Sequence, residues 1–79
     1  MDKFHISKVH AGDIHYISID FEDVVDKEYI KTQLNSLGYI KKANVSDDNY
    51  GKIRAIVYLH EDTDENEIVD KLKEYLTRI

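Results

Sequence analysis

The side chains in this sequence that could do chemistry are four histidines and three groups of carboxylates. His10 and His15 flank Gly12-Asp13. If those two residues are the centre of a β-hairpin turn, the imidazoles stand opposite each other. Neutral imidazoles placed so can share a divalent cation, and the pair can respond to pH between about 6 and 7. Two ligands at a hairpin tip make an incomplete site, so solvated turn histidines are expected, with metal ligation by His10 and His15 the weaker candidate. His5 and His60 fall at strand ends, and no cofactor is expected.

Asp47 and Asp48 form one carboxylate group, and Glu61, Asp62, Asp64, Glu65 and Glu67 form another. Carboxylates in the first turn of a helix are favoured by the positive end of its dipole, so helix electrostatics is the first role expected of the second group. Glu22, Asp23 and Asp26 could offer oxygens to a hard cation, but they lack the alternating spacing and the glycine of a calcium loop. Capping of the following helix is expected of them instead.

The chemistry that is missing narrows the reading further. No Gly-rich phosphate loop, nucleophile elbow or pair of carboxylates in an apolar setting occurs, and the chain has no cysteine. We therefore expect no enzyme, no thiolate metal site and no disulfide. A net charge of −5 disfavours direct contact with nucleic acid, which is normally engaged through clustered Lys and Arg. The same charge suits a basic protein surface, including the nucleic-acid channel of an enzyme.

These side chains are positioned by six expected elements. Phe4 to Val9 and Ile14 to Phe21 are β-branched and aromatic runs, and the Gly12-Asp13 turn sets Phe4 opposite Phe21 and Ile6 opposite Ile19. Asp26 is the expected N-cap of a helix with an Ile30, Leu34, Leu37 stripe, and Gly38 its expected stop. Ile40 to Ser46 and Lys52 to His60 read as strands around a turn at Asp47-Asp48-Asn49-Tyr50-Gly51. Thr63 or Asp64 caps the last helix, with Glu67 in capping-box position. Ile68, Leu72, Tyr75 and Ile79 share one face of that helix, with Val69 and Leu76 beside them.

The order ββαββα predicts an α+β two-layer sandwich, a single domain over 1–79. The more apolar strands, 14–21 and 52–60, belong at the centre of an antiparallel sheet of order 1-2-4-3, with both helices on one face. At 79 residues the chain has room for one core and none for a large internal cavity. The start, Met1-Asp2-Lys3-Phe4-His5, is acidic and leads into no long apolar run, so a cytoplasmic protein without contact to a membrane is expected.

From Ile14 onward the residues Tyr16 to Phe21, Ile30 to Ile40 with its Leu37-Gly38-Tyr39 turn, Ala43-Asn44-Val45 and Glu67-Ile68-Val69 together resemble the heavy-metal-associated domain of copper chaperones and metal-transporting ATPases. The resemblance implies a ferredoxin-like fold. The family's metal loop, with its Cys-x-x-Cys, falls near Phe21 to Asp26, where neither cysteine is present, so the metal function does not transfer. The family's last strand has no counterpart after the second helix, and strand 4–9 fills that edge in a permuted arrangement.

With helices on one face, alternation leaves Ile14, Tyr16, Arg54, Ile56 and Tyr58 on the other. Tyr and Arg are enriched at contact surfaces, so the function expected first is a non-enzymatic protein-interaction domain, most simply a homodimer. The alternative is an acidic inhibitor of a nucleic-acid-processing enzyme, of the anti-CRISPR-like type found in phages and mobile elements. It would act through Asp47, Asp48, Glu61, Asp62, Asp64 and Glu65.

Overall fold

A computed structural model describes residues 3–48 and 50–79. Alternating apolar residues make β1 (Phe4–Ala11) and β2 (Ile14–Phe21) a hairpin, in which Phe4 faces Phe21, Ile6 faces Ile19 and His10 faces His15. Its turn works because Gly12, the first central residue, takes a φ of +63°, a conformation that opposes side chains with a Cβ but matches the twist of paired strands. The helix α1 (Lys27–Asn35) follows, then β3 (Lys42–Asp47), β4 (Ile53–Tyr58) and α2 (Glu65–Arg78). The strands form one antiparallel sheet in the order β1-β2-β4-β3. Both expected edges are edges, and the arrangement is the expected ββαββα α+β sandwich with two helices on one face.

The core lies between that face and the helices. Ile17, Ile19 and Phe21 from β2 and Ile53, Ala55 and Val57 from β4 are buried with Ile30 and Leu34 of α1 and Ile68, Leu72 and Leu76 of α2. A hydrogen bond of 2.7 Å from Tyr75 Oη to Gln33 Oε1 ties the two helices together. No buried side-chain nitrogen or oxygen lacks a partner among the described residues, so the small core carries no polar penalty of that kind.

Several boundaries differ from those expected. The first helix ends at Asn35 with Ser36 as its cap, not at Gly38, because the Asn35 side chain is drawn to the neighbouring strand and Ser36 Oγ folds back on Gln33 O at 2.6 Å. Leu37 still packs on the core, from outside the helix. β3 starts two residues later than expected, leaving Ile40 buried in the connection, and β4 stops at Tyr58 ahead of a turn in which Asp62 takes a φ of +61°. In α2 the fully buried line is Ile68, Leu72 and Leu76, while Tyr75 and Ile79 are only half-buried beside it. Asp64 rather than Thr63 is the cap, accepting from Asn66 N at 3.0 Å, and Glu67 pairs with Lys71 at 3.4 Å instead of closing a capping box. Met1, Asp2 and Asn49, which belong to the expected N-terminal segment and to the second hairpin turn, lie outside the described residues.

Candidate functional site

The hairpin register decides which side chains meet. His10 and His15, as opposed residues, stack their rings with centroids 4.2 Å apart and planes 12° from parallel. They share a face with Lys8 and Ile17, the face covered by the helices, so a helix end lies above them. That end is the first turn of α2. Both Glu65 carboxylate oxygens reach His10 Nε2, at 2.9 and 2.8 Å, and Glu65 Oε1 lies 3.7 Å from His15 Nδ1. Alongside, Lys8 Nζ donates to Asn66 Oδ1 at 2.6 Å. The hydrogen bond from His10 is the main reason the Glu65 carboxyl sits below the usual carboxylate range, with the charges of His10, His15 and Lys8 acting in the same direction.

From sequence, His10 and His15 read as solvated turn residues, and Glu65 belonged to an acidic surface. The structure brings all three together. The parity of the hairpin held the clue, since Phe4, Ile6, Lys8 and His10 fall on one side of β1 and Phe4 and Ile6 already define the core side. His5 points to the opposite face, and His60 follows β4 as an exposed residue.

The acidic positions do not form one surface. Asp47 and Asp48 lie at the end of the sheet where Ile53 begins β4, while Glu61, Asp62, Asp64 and Glu65 follow the other end of that strand. Several of these carboxylates already have partners: Asp64 caps α2, Glu65 holds His10, and Asp48 Oδ1 accepts from Tyr50 N at 2.8 Å and Lys52 N at 2.9 Å. Those two backbone donors, Lys52 foremost, hold the Asp48 carboxyl below its ordinary range. A depressed carboxylate stabilises the fold above its unfolded pKa, and that contribution is lost as pH falls through the folded one. Asp48→Asn is therefore expected to be less stable than the parent at neutral pH, with the gap closing below about pH 4. Urea midpoints at both pH values test this, and an equal gap at both would refute it.

At the same end, Asp26, in the loop between β2 and α1, accepts from Glu28 N at 2.9 Å and Tyr29 N at 3.2 Å. It acts as a helix cap. Nearby, a notch of about 470 Å³ is lined by Asp20, Glu22, Asp47, Asp48, Lys52 and Arg54, among others. Within it Arg54 Nε donates to Asp20 Oδ1 at 2.6 Å.

The face of the sheet opposite the helices carries Tyr16, Ile56 and Tyr58, all half-buried, with Ile14 58 % exposed at the hairpin end. Tyr16 and Tyr58 are register partners with ring centroids 6.2 Å apart, and the Lys42 ammonium lies 5.3 Å from the Tyr58 ring centroid. Val9, opposite Tyr16 on β1, extends the apolar area to a third strand. Residue types alone do not single it out, because strand 4–9 is less apolar than strand 14–21 and lies at an edge. Ser18, between Tyr16 and Asp20, is 8 % exposed, so the centre of this face is tightly filled by its neighbours. Arg54 stands at the far end, paired with Asp20 rather than beside the tyrosines. The charged side chains on the outward positions are Asp20, Lys42 and Arg54, so this face is free of the negative excess that gives the chain its −5.

Among the described residues, no helix is long and apolar enough to cross a membrane. Comparison with protein-family models, with curated proteins and with solved structures found no match, which leaves the functional reading to rest on geometry.

Proposed function

We propose that the chain is a non-enzymatic protein-interaction domain that uses the open face of its sheet, and that its simplest partner is a second copy of itself. The observation that carries this is the join of Val9, Ile14, Tyr16, Ile56 and Tyr58 into one apolar-aromatic area across β1, β2 and β4, on the face away from both helices. An uncovered area of this composition is typical of contact surfaces. Charge selects this face for self-association: two chains of −5 repel, and the repulsion is least where each presents a face without negative excess. A two-fold axis through the face brings the same residues together from both copies, as closed dimers require.

Ile56 lies between Arg54 and Tyr58 on a central strand, with Ser18 as its partner on β2 and Asn44 on β3. Ile56→Asp is expected to weaken association by about tenfold or more, as loss of a central anchor does. Its far-ultraviolet circular dichroism should stay that of the parent, because the side chain is outside the core. Light scattering over a concentration series measures both proteins. A parent chain that stays monomeric at high concentration would end the self-association reading.

A further inference from the structure

We propose that His10, His15 and Glu65 form a site for a borderline divalent transition-metal cation, with zinc as the best fit. The three donors come from three elements, the end of β1, the start of β2 and the first residue of α2, and their ligand atoms all lie within 4.8 Å of one another. Two imidazoles and a carboxylate are a donor set that zinc takes readily, with water completing a tetrahedron. This site is independent of the open sheet face: the donors lie on the helix side of the hairpin. It is also at the opposite end of β2 from the loop that leads into α1.

The distances are close to those a cation needs. Bond lengths near 2.1 Å place neighbouring donors in a tetrahedron about 3.4 Å apart. His10 Nε2 and the Glu65 oxygens, at 2.8 and 2.9 Å, are nearer than that because a hydrogen-bonded proton lies between them, and His15 Nδ1, at 3.7 Å, is slightly farther. Replacing the proton with a cation moves side-chain tips and leaves the backbone in place. The larger adjustment is angular. Stacked rings keep their in-plane lone pairs in two nearly parallel planes, and one cation cannot lie in both, so ligation must splay the imidazoles away from their 12° alignment. Their side chains are 54 % and 50 % exposed, which leaves room for that rotation.

The electrostatic surroundings act in both directions. Glu61, Asp62, Asp64 and Glu67 crowd the same end of α2 with negative charge, which attracts a cation. Lys8 and the positive end of the α2 dipole oppose it, though the Lys8 ammonium is held by Asn66. Three ligands and a solvent-filled fourth position predict affinity below that of a closed four-ligand structural site. The structural consequence of binding is a cross-link between the hairpin tip and α2, which stabilises the folded chain by mass action.

The test is a titration of the full chain with zinc chloride, read by calorimetry, histidine NMR, thermal melting and light scattering. One zinc per chain is expected, with the ring signals of His10 and His15 moving together while those of His5 and His60 stay in place. The melting temperature should rise with zinc. Glu65→Gln and His15→Ala should each weaken binding by about tenfold or more while circular dichroism remains that of the parent. The glutamine variant keeps its place in the helix, so it tests the ligand even if the alanine variant folds poorly. Absence of binding at millimolar zinc overturns the site, as does equal movement of all four histidines or unchanged affinity in Glu65→Gln. Zinc that binds only as the mass doubles bridges two copies, which also overturns it.

Discussion

Phe21→Ala is expected to leave a large part of the chain unfolded at 25 °C. Phe21 is 1 % exposed and is the largest of the fully buried side chains; its register neighbours are Phe4 on β1 and Ile53 on β4. Removing a buried phenyl ring costs about 3–5 kcal/mol through lost transfer energy and the cavity left behind. A single core in a chain this short supplies about 3–5 kcal/mol of net stability. The two quantities are equal in size, so one substitution brings folded and unfolded populations to comparable levels. Phe21→Leu retains much of the volume and is expected to cost about 1–2 kcal/mol. Urea titration separates the cases by midpoint. If alanine moved the midpoint no further than leucine, Phe21 would not hold the place in the core that its burial indicates.

Asn35→Ala is expected to be the most damaging change at a residue that is itself exposed. The Asn35 amide occupies the backbone of edge strand β3 at one position: Ala43 N donates to Asn35 Oδ1 at 3.0 Å, and Asn35 Nδ2 donates to Ala43 O at 2.9 Å. The same Nδ2 also reaches Lys31 O at 2.9 Å, so the last turn of α1 is fastened to the sheet edge. Ala43 is 3 % exposed, and water that enters once the amide is removed satisfies its backbone groups less well than the two fixed bonds do. Leaving its N–H and C=O unpaired costs about 1–3 kcal/mol. Asn35→Asp separates the two bonds, since a carboxylate still accepts from Ala43 N but repels the carbonyl oxygens of Ala43 and Lys31. Both variants are expected to be destabilised, and hydrogen exchange should show the Ala43 amide exposed in the alanine variant and still protected in the aspartate variant. Equal protection in parent and alanine variant would show that the amide does not carry this edge. The alanine variant also uncovers a strand edge, so it should aggregate more readily on partial unfolding.

Much of the fold was legible from residue types and spacing. Period-2 alternation around Gly12-Asp13 placed Phe4 against Phe21 and Ile6 against Ile19, because a slip of one residue would turn the whole apolar set outward. The relative apolarity of the four strands placed β2 and β4 at the centre. Helix ends were less legible. Gly38 is the residue most often found just past a helix, yet α1 ends three residues before it, because Asn35 gains two bonds to Ala43 that depend on where β3 lies. A local signal was outweighed by a contact between residues eight positions apart.

The candidate sites divide in the same way. That Ile14, Tyr16, Ile56 and Tyr58 share one face follows from strand periodicity, and so does the pairing of His10 with His15. What the sequence by itself determined, then, is the order of the elements, the register of the first hairpin and the face on which each strand residue lies, since all three depend on spacing within or across one turn. The docking of α2 was decided only in three dimensions. Helix periodicity specifies which side of α2 is buried, but its position along the sheet is set by how Ile68, Leu72 and Leu76 fit among the β2 and β4 side chains. That fit carries Glu65 to the histidines, fifty-five residues from His10 in sequence.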